Sequence, residues 1–264
     1  MQDLNLTLLQ ANLHWQKPAA NRAMFADLIA EHATTTDLIV LPEMFTSGFT
    51  MEAEANSEAT GGPTTTWLQQ MATEHNVAVC GSLIVNEVIN GKQHFYNRLL
   101  WAAADGSMRS YDKRHLFRMA DEDQHYTAGT ERLIIELNDW RICPLICYDL
   151  RFPVWSRGSN QFDLLLYVAN WPAPRQSAWD TLLPARAVEN LCYAAGVNRV
   201  GSDGNDVSYN GGSLIVDYLA NVSRLDDKAG ALQSTLDGSK LERYRDKFPA
   251  WKDADTFKIT GTRS

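Results

Sequence analysis

The 264-residue sequence lacks the features by which membrane, secreted and nucleic-acid-binding proteins are usually identified. No apolar run approaches the ~20 residues that a membrane-spanning helix needs. The N-terminus has no positively charged segment ahead of an apolar stretch, so we expect no signal peptide and a cytoplasmic location. The formal net charge is −8 and no basic patch is dense, so we expect neither nucleic acid nor a membrane surface as a partner.

Cysteine is scarce, and its spacing excludes two common uses. The four cysteines are Cys80, Cys143, Cys147 and Cys192, each in or beside an apolar run, and none forms a Cys-x-x-Cys pair. Because the histidines are also scattered, we expect neither a disulfide framework nor a metal site. Cys143 and Cys147 would share one face of a strand, and a redox pair is conceivable, but same-face residues that far apart do not meet the geometry of a bridge.

Three signatures of common protein classes are also absent. The sequence has no Gly-x-Ser-x-Gly elbow, no P-loop and no His-Glu-x-x-His run. Serine hydrolase, nucleotide-binding and metalloprotease functions therefore lack support.

What the sequence does contain is an alternation of apolar strands and helices, with 45% hydrophobic residues to build a core. Apolar runs bounded by turn residues predict strands at 4–10, 37–41, 77–86, 95–104, 133–137, 141–146, 163–169, 193–200 and 211–218. The spacing predicts helices at 21–32, 63–75, 177–191 and 239–247, and a further helix that begins at Phe152. Because hairpins interrupt the alternation, we expect an α/β fold of mixed sheets covered by helices, and residues 1–264 are predicted to form one domain.

The most informative position is Cys147, where an apolar run gives way to polar and charged residues. The run 141–146 predicts a buried strand, and Phe152-Pro153 predicts a helix start because proline fits the first helical turn. Cys147 would then occupy an elbow where free backbone N–H groups are close to its sulfur. Such donors suit a thiolate and, later, an oxyanion. The alternative is that Cys147 is a small buried hydrophobe, as most free cysteines are.

Two further charged residues stand at the ends of apolar runs. Glu43 directly follows the strand predicted at 37–41, and in open α/β sheets ligands gather beyond the carboxyl ends of strands. Lys113 follows the hairpin strand at 95–104 and the turn after it. Each could be a solvated loop charge, but together with Cys147 they form a plausible set of acid/base, cation and nucleophile.

Three segments, in this order along the chain, carry a resemblance to a known family: Leu41-Pro42-Glu43-Met44-Phe45, Tyr111-Asp112-Lys113-Arg114-His115-Leu116-Phe117 and Cys147-Tyr148-Asp149-Leu150-Arg151-Phe152-Pro153. The chain resembles the nitrilase superfamily of carbon–nitrogen hydrolases from Leu4 to about Phe248. The resemblance implies a four-layer α-β-β-α sandwich of the nitrilase type with mixed sheets, usually paired into dimers, so we expect a homodimer.

The resemblance also implies roles for single residues. In the superfamily a Glu, a Lys and a Cys form a catalytic triad, and these roles map onto Glu43, Lys113 and Cys147. A second family glutamate precedes a glycine by seven residues, and Glu122 stands in that relation to Gly129. Glu122 would hold Lys113 or the substrate amide, and no metal or organic cofactor is needed.

Those residues support a covalent amide hydrolysis. Glu43 would take the proton of Cys147, and the thiolate would attack an amide carbonyl. Lys113 and the backbone N–H of Tyr148 would bind the resulting oxyanion. Glu43 would pass its proton to the leaving ammonia and then activate the water that hydrolyses the thioester.

The predicted substrate pocket takes residues from beyond a second buried strand. Asn170 and Trp171 follow the strand at 163–169, so they should lie at the mouth of the pocket, although Trp171 is as readily a core residue. Arg151 and Arg175 are candidates to bind a substrate carboxylate. Arg151 is four residues past Cys147, one turn along the predicted helix, and would alternatively pair with Asp149 or Glu189.

The segment from Cys147 to Phe152 is similar to the omega-amidase branch of the superfamily, and the segments at 171–175 and 247–251 add to that likeness. The likeness implies hydrolysis of the terminal amide of 2-oxoglutaramate, and of 2-oxosuccinamate, to the 2-oxo dicarboxylic acid and ammonia. The partner would be a small-molecule amide.

Other functions remain open from the sequence. Deaminated-glutathione amidase and N-carbamoyl amino acid hydrolase would use the same triad, and a catalytically silent small-ligand-binding protein or a redox-sensing thiol protein belongs to a different class. We expect His115 to take no part in the chemistry, although it lies two residues from Lys113. Cys80, Cys143 and Cys192 are predicted to pack in the core.

Overall fold

The computed structural model of the protein describes residues 1–158 and 160–260. The described residues form fifteen strands: β1 (Leu4–Gln10), β2 (Leu38–Val40), β3 (Glu58–Ala59), β4 (Ala78–Ile89), β5 (Lys92–Ala102), β6 (Met108–Asp112), β7 (Ile135–Leu137), β8 (Trp140–Ile146), β9 (Leu164–Val168), β10 (Tyr193–Val197), β11 (Val200–Ser202), β12 (Ser208–Asn210), β13 (Leu214–Val216), β14 (Val222–Arg224) and β15 (Gly230–Leu236). They also form six α-helices: α1 (Pro18–His32), α2 (Ala53–Asn56), α3 (Pro63–His75), α4 (Glu122–His125), α5 (Gln176–Asn190) and α6 (Gly238–Lys247). None of the helices in these ranges combines the length and apolar character that crossing a membrane requires.

Two mixed sheets organise the molecule. The first has the order β15-β1-β2-β4-β5-β6, with β3 paired to β4, and the second has the order β14-β13-β10-β9-β8-β7. The centre of each sheet is parallel: β1, β2 and β4 in the first, and β8, β9 and β10 in the second. The strands β11 and β12 form a separate antiparallel pair. Parallel neighbours need a long connection, and α1, α3 and α5 lie in those that lead from β1 to β2, from β2 to β4 and from β9 to β10. The connection from β8 to β9 has a 3-10 turn and, in its described residues, no α-helix.

Alternation along the central strands explains how the sheets are covered. In β2, Leu38 and Val40 belong to the apolar cluster that is shared with the second sheet, whereas Ile39 belongs to the cluster beneath the outer helices. Successive side chains of a strand point to opposite faces, so a strand that is buried on both sides needs apolar residues at every position. The continuous apolar runs at 37–41 and 163–169 are therefore typical of central strands in a covered sheet.

Helices cover the outer face of each sheet. On the first sheet, Phe25 of α1 and Leu68 of α3 pack in the same cluster as Ile39. On the second sheet, α5 approaches β10 so closely that a Cβ on Gly196 would lie 2.6 Å from the Trp179 ring. The four layers of helix, sheet, sheet and helix confirm the predicted α-β-β-α sandwich.

The helix predicted to begin at Phe152 is wrong. A 3-10 turn at Cys147–Arg151 follows β8 directly, and Phe152 itself is extended, with φ −112° and ψ 91°. Residues 153–156 form only a turn, because Gly158 and Asn160, which are poor helix formers, follow them closely.

The single strand predicted at 193–200 is also wrong, since the structure has two strands there. Strand β10 ends at Val197, and β11 begins at Val200 in a different sheet. The break falls at Asn198, because its backbone N–H donates to the hydroxyl of Ser213 instead of a neighbouring strand, while its side chain binds Trp171 and Gly211.

Candidate active site

Glu43 lies just beyond the carboxyl end of β2, at the junction of the two sheets, and its side chain is fully buried. The side-chain amide of Asn97 donates to Oε1 at 2.8 Å, and the backbone N–H of Asn170 donates to Oε2 at 2.8 Å. The side chain of Asn170 in turn donates to the carbonyl oxygen of Glu43 at 2.5 Å. The carboxylate is therefore held from both sheets, because Asn97 belongs to β5 and Asn170 follows β9.

Lys113 directly follows β6, and its ammonium group is buried between two carboxylates. Nζ donates to Oε1 of Glu43 at 2.8 Å and to the two oxygens of Glu122 at 2.9 and 3.0 Å. Burial alone would lower the pKa of Lys113, but Glu122 and Glu43 outweigh it and hold the pKa above its ordinary value. The two carboxylates therefore hold Lys113 as a cation in the folded site.

Glu122 begins α4 and is fully buried. Besides Lys113, the backbone N–H of Phe117 donates to its Oε2 at 2.6 Å. Burial raises the pKa of Glu122, the charge of Lys113 opposes that rise, and the nearby charge of Glu43 adds to it. Of the two contacts expected for Glu122, the structure contains the one with Lys113.

Cys147 is the first residue of the 3-10 turn after β8, and it adopts the left-handed φ of 43°. Its sulfur lies 4.0 Å from the carbonyl oxygen of Asn170. Burial and then the charge of Glu43 raise the pKa of Cys147 well above its ordinary value, although Lys113 opposes the rise. Burial and the nearby carboxylate therefore favour the neutral thiol over the thiolate in the resting site.

Tyr148 follows Cys147 within the same turn. Backbone N–H groups in the first turn of a helix have no acceptor inside the helix, so the N–H of Tyr148 is available to an anion beside the sulfur. The arrangement thus offers a thiol, a carboxylate that can take its proton, and two donors for a developing oxyanion.

A cavity of about 400 Å³ opens onto Cys147 and Lys113. Of the other predicted residues, it is lined by Tyr148, Asn170, Trp171 and Arg175. Trp171 lines the cavity and also belongs to the apolar core, because its residue surface is only 2% exposed and its ring packs against Trp179. The cavity is small and largely apolar, which fits a small organic ligand.

Arg151 does not join this cavity, and neither of its predicted ion partners binds it. Glu189 pairs with Arg186 at 2.9 Å, and both oxygens of Asp149 accept hydrogen bonds from other groups. Arg151 is exposed, and its guanidinium lies 5.4 Å from the Trp171 ring centre. The 3-10 turn explains the error, because at three residues per turn the fourth residue after Cys147 is rotated away from it.

The remaining sequence expectations concern His115 and three cysteines. His115 lies outside the cavity, where its ring stacks on Phe152 at 3.8 Å. Cys80, Cys143 and Cys192 are completely buried in the apolar cluster between the layers. Burial raises the pKa of Cys143 to about 12, which is typical of an inert core thiol.

Several residues that hold the site or line its cavity were not predicted from the sequence. Asn97 binds Glu43, and Ser82 donates to the Oδ1 of Asn97 at 2.8 Å, which fixes the amide orientation. Tyr209 and Asp203, which line the far wall, are joined by a hydrogen bond of 2.8 Å. The available signal was a polar residue inside an otherwise apolar strand, as at Ser82 and Asn97, because a buried polar group needs a partner.

Within residues 1–158 and 160–260, no cluster of three or more His, Cys, Asp or Glu side chains has the geometry to hold a metal ion.

Comparison with known proteins places this geometry in context. The carbon-nitrogen hydrolase family model matches residues 5–246. The chain is 48% identical to the omega-amidase YafV of Escherichia coli K12, over 98% of this chain and 100% of that protein. It is 32% identical to the 2-oxoglutaramate amidase of Bacillus subtilis, over 94% and 96% of the two chains. The crystal structure of XC1258 from Xanthomonas campestris, a CN-hydrolase superfamily protein with an arsenic adduct in its active site, superposes with a TM-score of 0.94 at 43% identity, covering 98% of this chain and 100% of that one.

Proposed function

The chain belongs to the carbon–nitrogen hydrolase family, in its omega-amidase branch, and we propose that it hydrolyses the terminal amide of 2-oxoglutaramate through a thioester on Cys147. The products are 2-oxoglutarate and ammonia, and 2-oxosuccinamate is a second substrate. One observation carries the proposal: a chain similar throughout to omega-amidases places a thiol and an ammonium on one small cavity that Arg175 also lines, with the buried carboxylate of Glu43 bonded to that ammonium.

Acylation begins with the neutral thiol. Glu43 accepts the proton of Cys147 as the sulfur attacks the amide carbon, which forms the C–S bond and moves the carbonyl electrons onto oxygen. Lys113 Nζ and the N–H of Tyr148 donate to that oxyanion. When the intermediate collapses, the C–N bond breaks and Glu43 returns its proton to the nitrogen, which leaves as ammonia.

Deacylation reuses the same carboxylate. Glu43 takes a proton from water, the oxygen attacks the thioester, and the C–S bond breaks as the proton returns to the sulfur of Cys147. Glu122 keeps Lys113 in place throughout, because its two oxygens accept two of the donor contacts that the ammonium makes. Hydrogen bonds from Asn97 and from the backbone N–H of Asn170 hold the Glu43 carboxylate in one orientation. In that orientation it exchanges a proton first with the sulfur, then with the amide nitrogen and then with water.

The anionic end of the substrate binds Arg175. The guanidinium lies 5.0 Å from the Phe117 ring centre and contacts the sulfur of Met119 at 2.8 Å, and neither group neutralises its charge. Arg175 therefore offers a paired donor edge to a carboxylate that enters the cavity. Phe117 and Trp171 supply apolar walls for the carbon chain between that carboxylate and the amide.

Ammonia release from a panel of amides tests the substrate. We expect turnover of 2-oxoglutaramate to exceed that of deaminated glutathione and N-carbamoyl amino acids. The slowest turnover with 2-oxoglutaramate would refute the substrate assignment. Accumulation of the acyl group on Cys147, seen as a mass increase after rapid acid quench, tests the thioester separately.

The Arg175→Met variant tests carboxylate recognition. A charged hydrogen bond is worth about 1.5–3 kcal/mol, so KM for 2-oxoglutaramate should rise about 10- to 100-fold with a smaller change in kcat. Pentanamide is the matched control because it has no carboxylate, and its hydrolysis should change little. An equal loss with both amides would place the carboxylate site elsewhere.

A further inference from the structure

Asp149, two residues after Cys147, is a fully buried carboxylate that accepts four hydrogen bonds. Its Oδ2 accepts from the hydroxyl of Tyr111 at 2.7 Å and from the backbone N–H of Ile146 at 3.0 Å. Its Oδ1 accepts from the backbone N–H of His115 at 3.0 Å and from Nδ1–H of the same residue at 2.8 Å.

The four donors come from both sides of the active site. Tyr111 lies in β6 of the first sheet two residues before Lys113, and His115 lies two residues after it. Ile146 ends β8 of the second sheet and directly precedes Cys147. A single side chain therefore joins the chain segments on either side of Lys113 to the strand end that carries Cys147.

Each donor is itself held in place. The oxygen of Tyr111 already accepts hydrogen bonds from Trp155 Nε1–H at 3.0 Å and from the backbone N–H of Arg114 at 3.3 Å, so its own proton points at Asp149. The ring of His115 is stacked face to face on Phe152, with an interplanar angle of 6°. Neither side chain can turn to present an acceptor without losing these contacts.

We propose that Asp149 is a positioning residue that sets the distance between Lys113 and the sulfur of Cys147. The proposal rests on the role of Cys147 as nucleophile. The hydroxyl of Tyr111 and the backbone N–H groups of Ile146 and His115 all donate, and between them they use both carboxyl oxygens, so an ionised carboxylate satisfies all of them. Because Cys147 occupies a left-handed conformation that a residue with a Cβ disfavours, the elbow needs such an external restraint.

Replacement of Asp149 by asparagine isolates this requirement, since it keeps the size and changes one acceptor into a donor. In one amide orientation the NH₂ group faces the N–H of Ile146, and in the other it faces the N–H of His115. A backbone N–H cannot become an acceptor, so each orientation moves one of the two segments. A displacement of about 1 Å costs on the order of 10²-fold in rate.

The experiment compares Asp149→Asn with Asp163→Asn. Asp163 is also a buried carboxylate with several donors, but it binds Arg141 and Arg245 away from the cavity. At a temperature where both variants are folded by circular dichroism, Asp149→Asn should lower kcat about 10²-fold with little change in KM, and should slow iodoacetamide labelling of Cys147 at least tenfold. Asp163→Asn should lower only the melting temperature.

A kcat for Asp149→Asn within threefold of wild type, or an equal loss in Asp163→Asn, would overturn the proposal. If Asp149→Asn does not fold, Tyr111→Phe takes its place, because this variant keeps three of the four donors to Asp149. Tyr111→Phe should lower kcat three- to tenfold at constant KM, and an unchanged kcat in this variant would also overturn the proposal. The labelling rate uses no amide substrate. If iodoacetamide labels Cys147 of the wild-type protein but the protein hydrolyses no amide of the panel, the proposed function is refuted and the inference about Asp149 is not contradicted.

Discussion

Replacement of Lys113 by methionine removes the ammonium that contacts both Glu43 and Glu122 while keeping most of the buried volume. Its Nζ lies 2.8 Å from one oxygen of Glu43 and 2.9 and 3.0 Å from those of Glu122, all of them buried. Removing one partner of a buried ion pair costs about 3–5 kcal/mol, because the remaining charge is left without a counterion. Loss of an oxyanion donor lowers the rate by about 10²–10³.

The stability of this variant should depend on pH in a defined direction. Without Lys113, Glu122 loses the positive charge that opposes the effect of burial, so the pKa of this carboxyl in the folded protein rises further above the unfolded value near 4.3. The folded state then binds more protons than the unfolded state as pH increases, so stability is greatest in acid and falls as pH rises toward the elevated pKa. The slope is about 1.4 kcal/mol per pH unit for each proton retained.

Two assays measure these effects. Urea unfolding at pH 5 and pH 8 should give a larger free energy of unfolding at pH 5 for Lys113→Met, and ammonia release should show the rate loss at a temperature where the variant is folded. Lys240→Met is the control, since Lys240 forms an exposed ion pair with Asp237, and it should change neither quantity. A rate within tenfold of wild type, or stability that rises from pH 5 to pH 8, would refute the reasoning.

Three further outcomes are expected. Cys147→Ser should nearly abolish ammonia release, whereas Cys143→Ser should have a mild effect because that thiol is buried in the core; comparable losses would favour a redox function. Glu43→Gln should slow turnover by about 10²–10⁴, the usual contribution of general acid–base catalysis, and a change below tenfold would assign the proton to another group. Since the pKa of Cys147 is raised well above its ordinary value, its labelling by iodoacetamide should keep accelerating with pH through pH 9, and a plateau below pH 7 would show that the resting sulfur is anionic.

The sequence predicts the layers of this fold well because covered sheets leave strong signals. Strands buried on both faces are continuous apolar runs, and β2, β8 and β9 lie where those runs predicted them. The edge strand β15 was not predicted, because its side chains are mostly half-exposed and its sequence mixes apolar with small polar residues without a continuous apolar run. Whether an edge segment forms a strand depends more on the strand it pairs with than on the β propensity of its own residues.

The same contrast holds at the candidate site. Glu43, Lys113 and Cys147 stand at strand ends, so the sheet topology brings them together once the order of strands is known. The side chains that hold them in place, such as Asn97 and Asp149, are specified by contacts between residues distant in sequence. The single domain, the homodimer and the cytoplasmic location stay predictions.

The left-handed backbone at Cys147 places reactivity and stability in opposition at one residue. Glycine adopts that conformation without penalty, whereas any side chain with a Cβ costs roughly 1–2 kcal/mol there. The usual order of alanine over glycine is therefore reversed at this elbow. A search for more thermostable variants that ignored turnover would therefore accept replacement of Cys147 by glycine, so thermostability screens of this protein need activity as a simultaneous constraint.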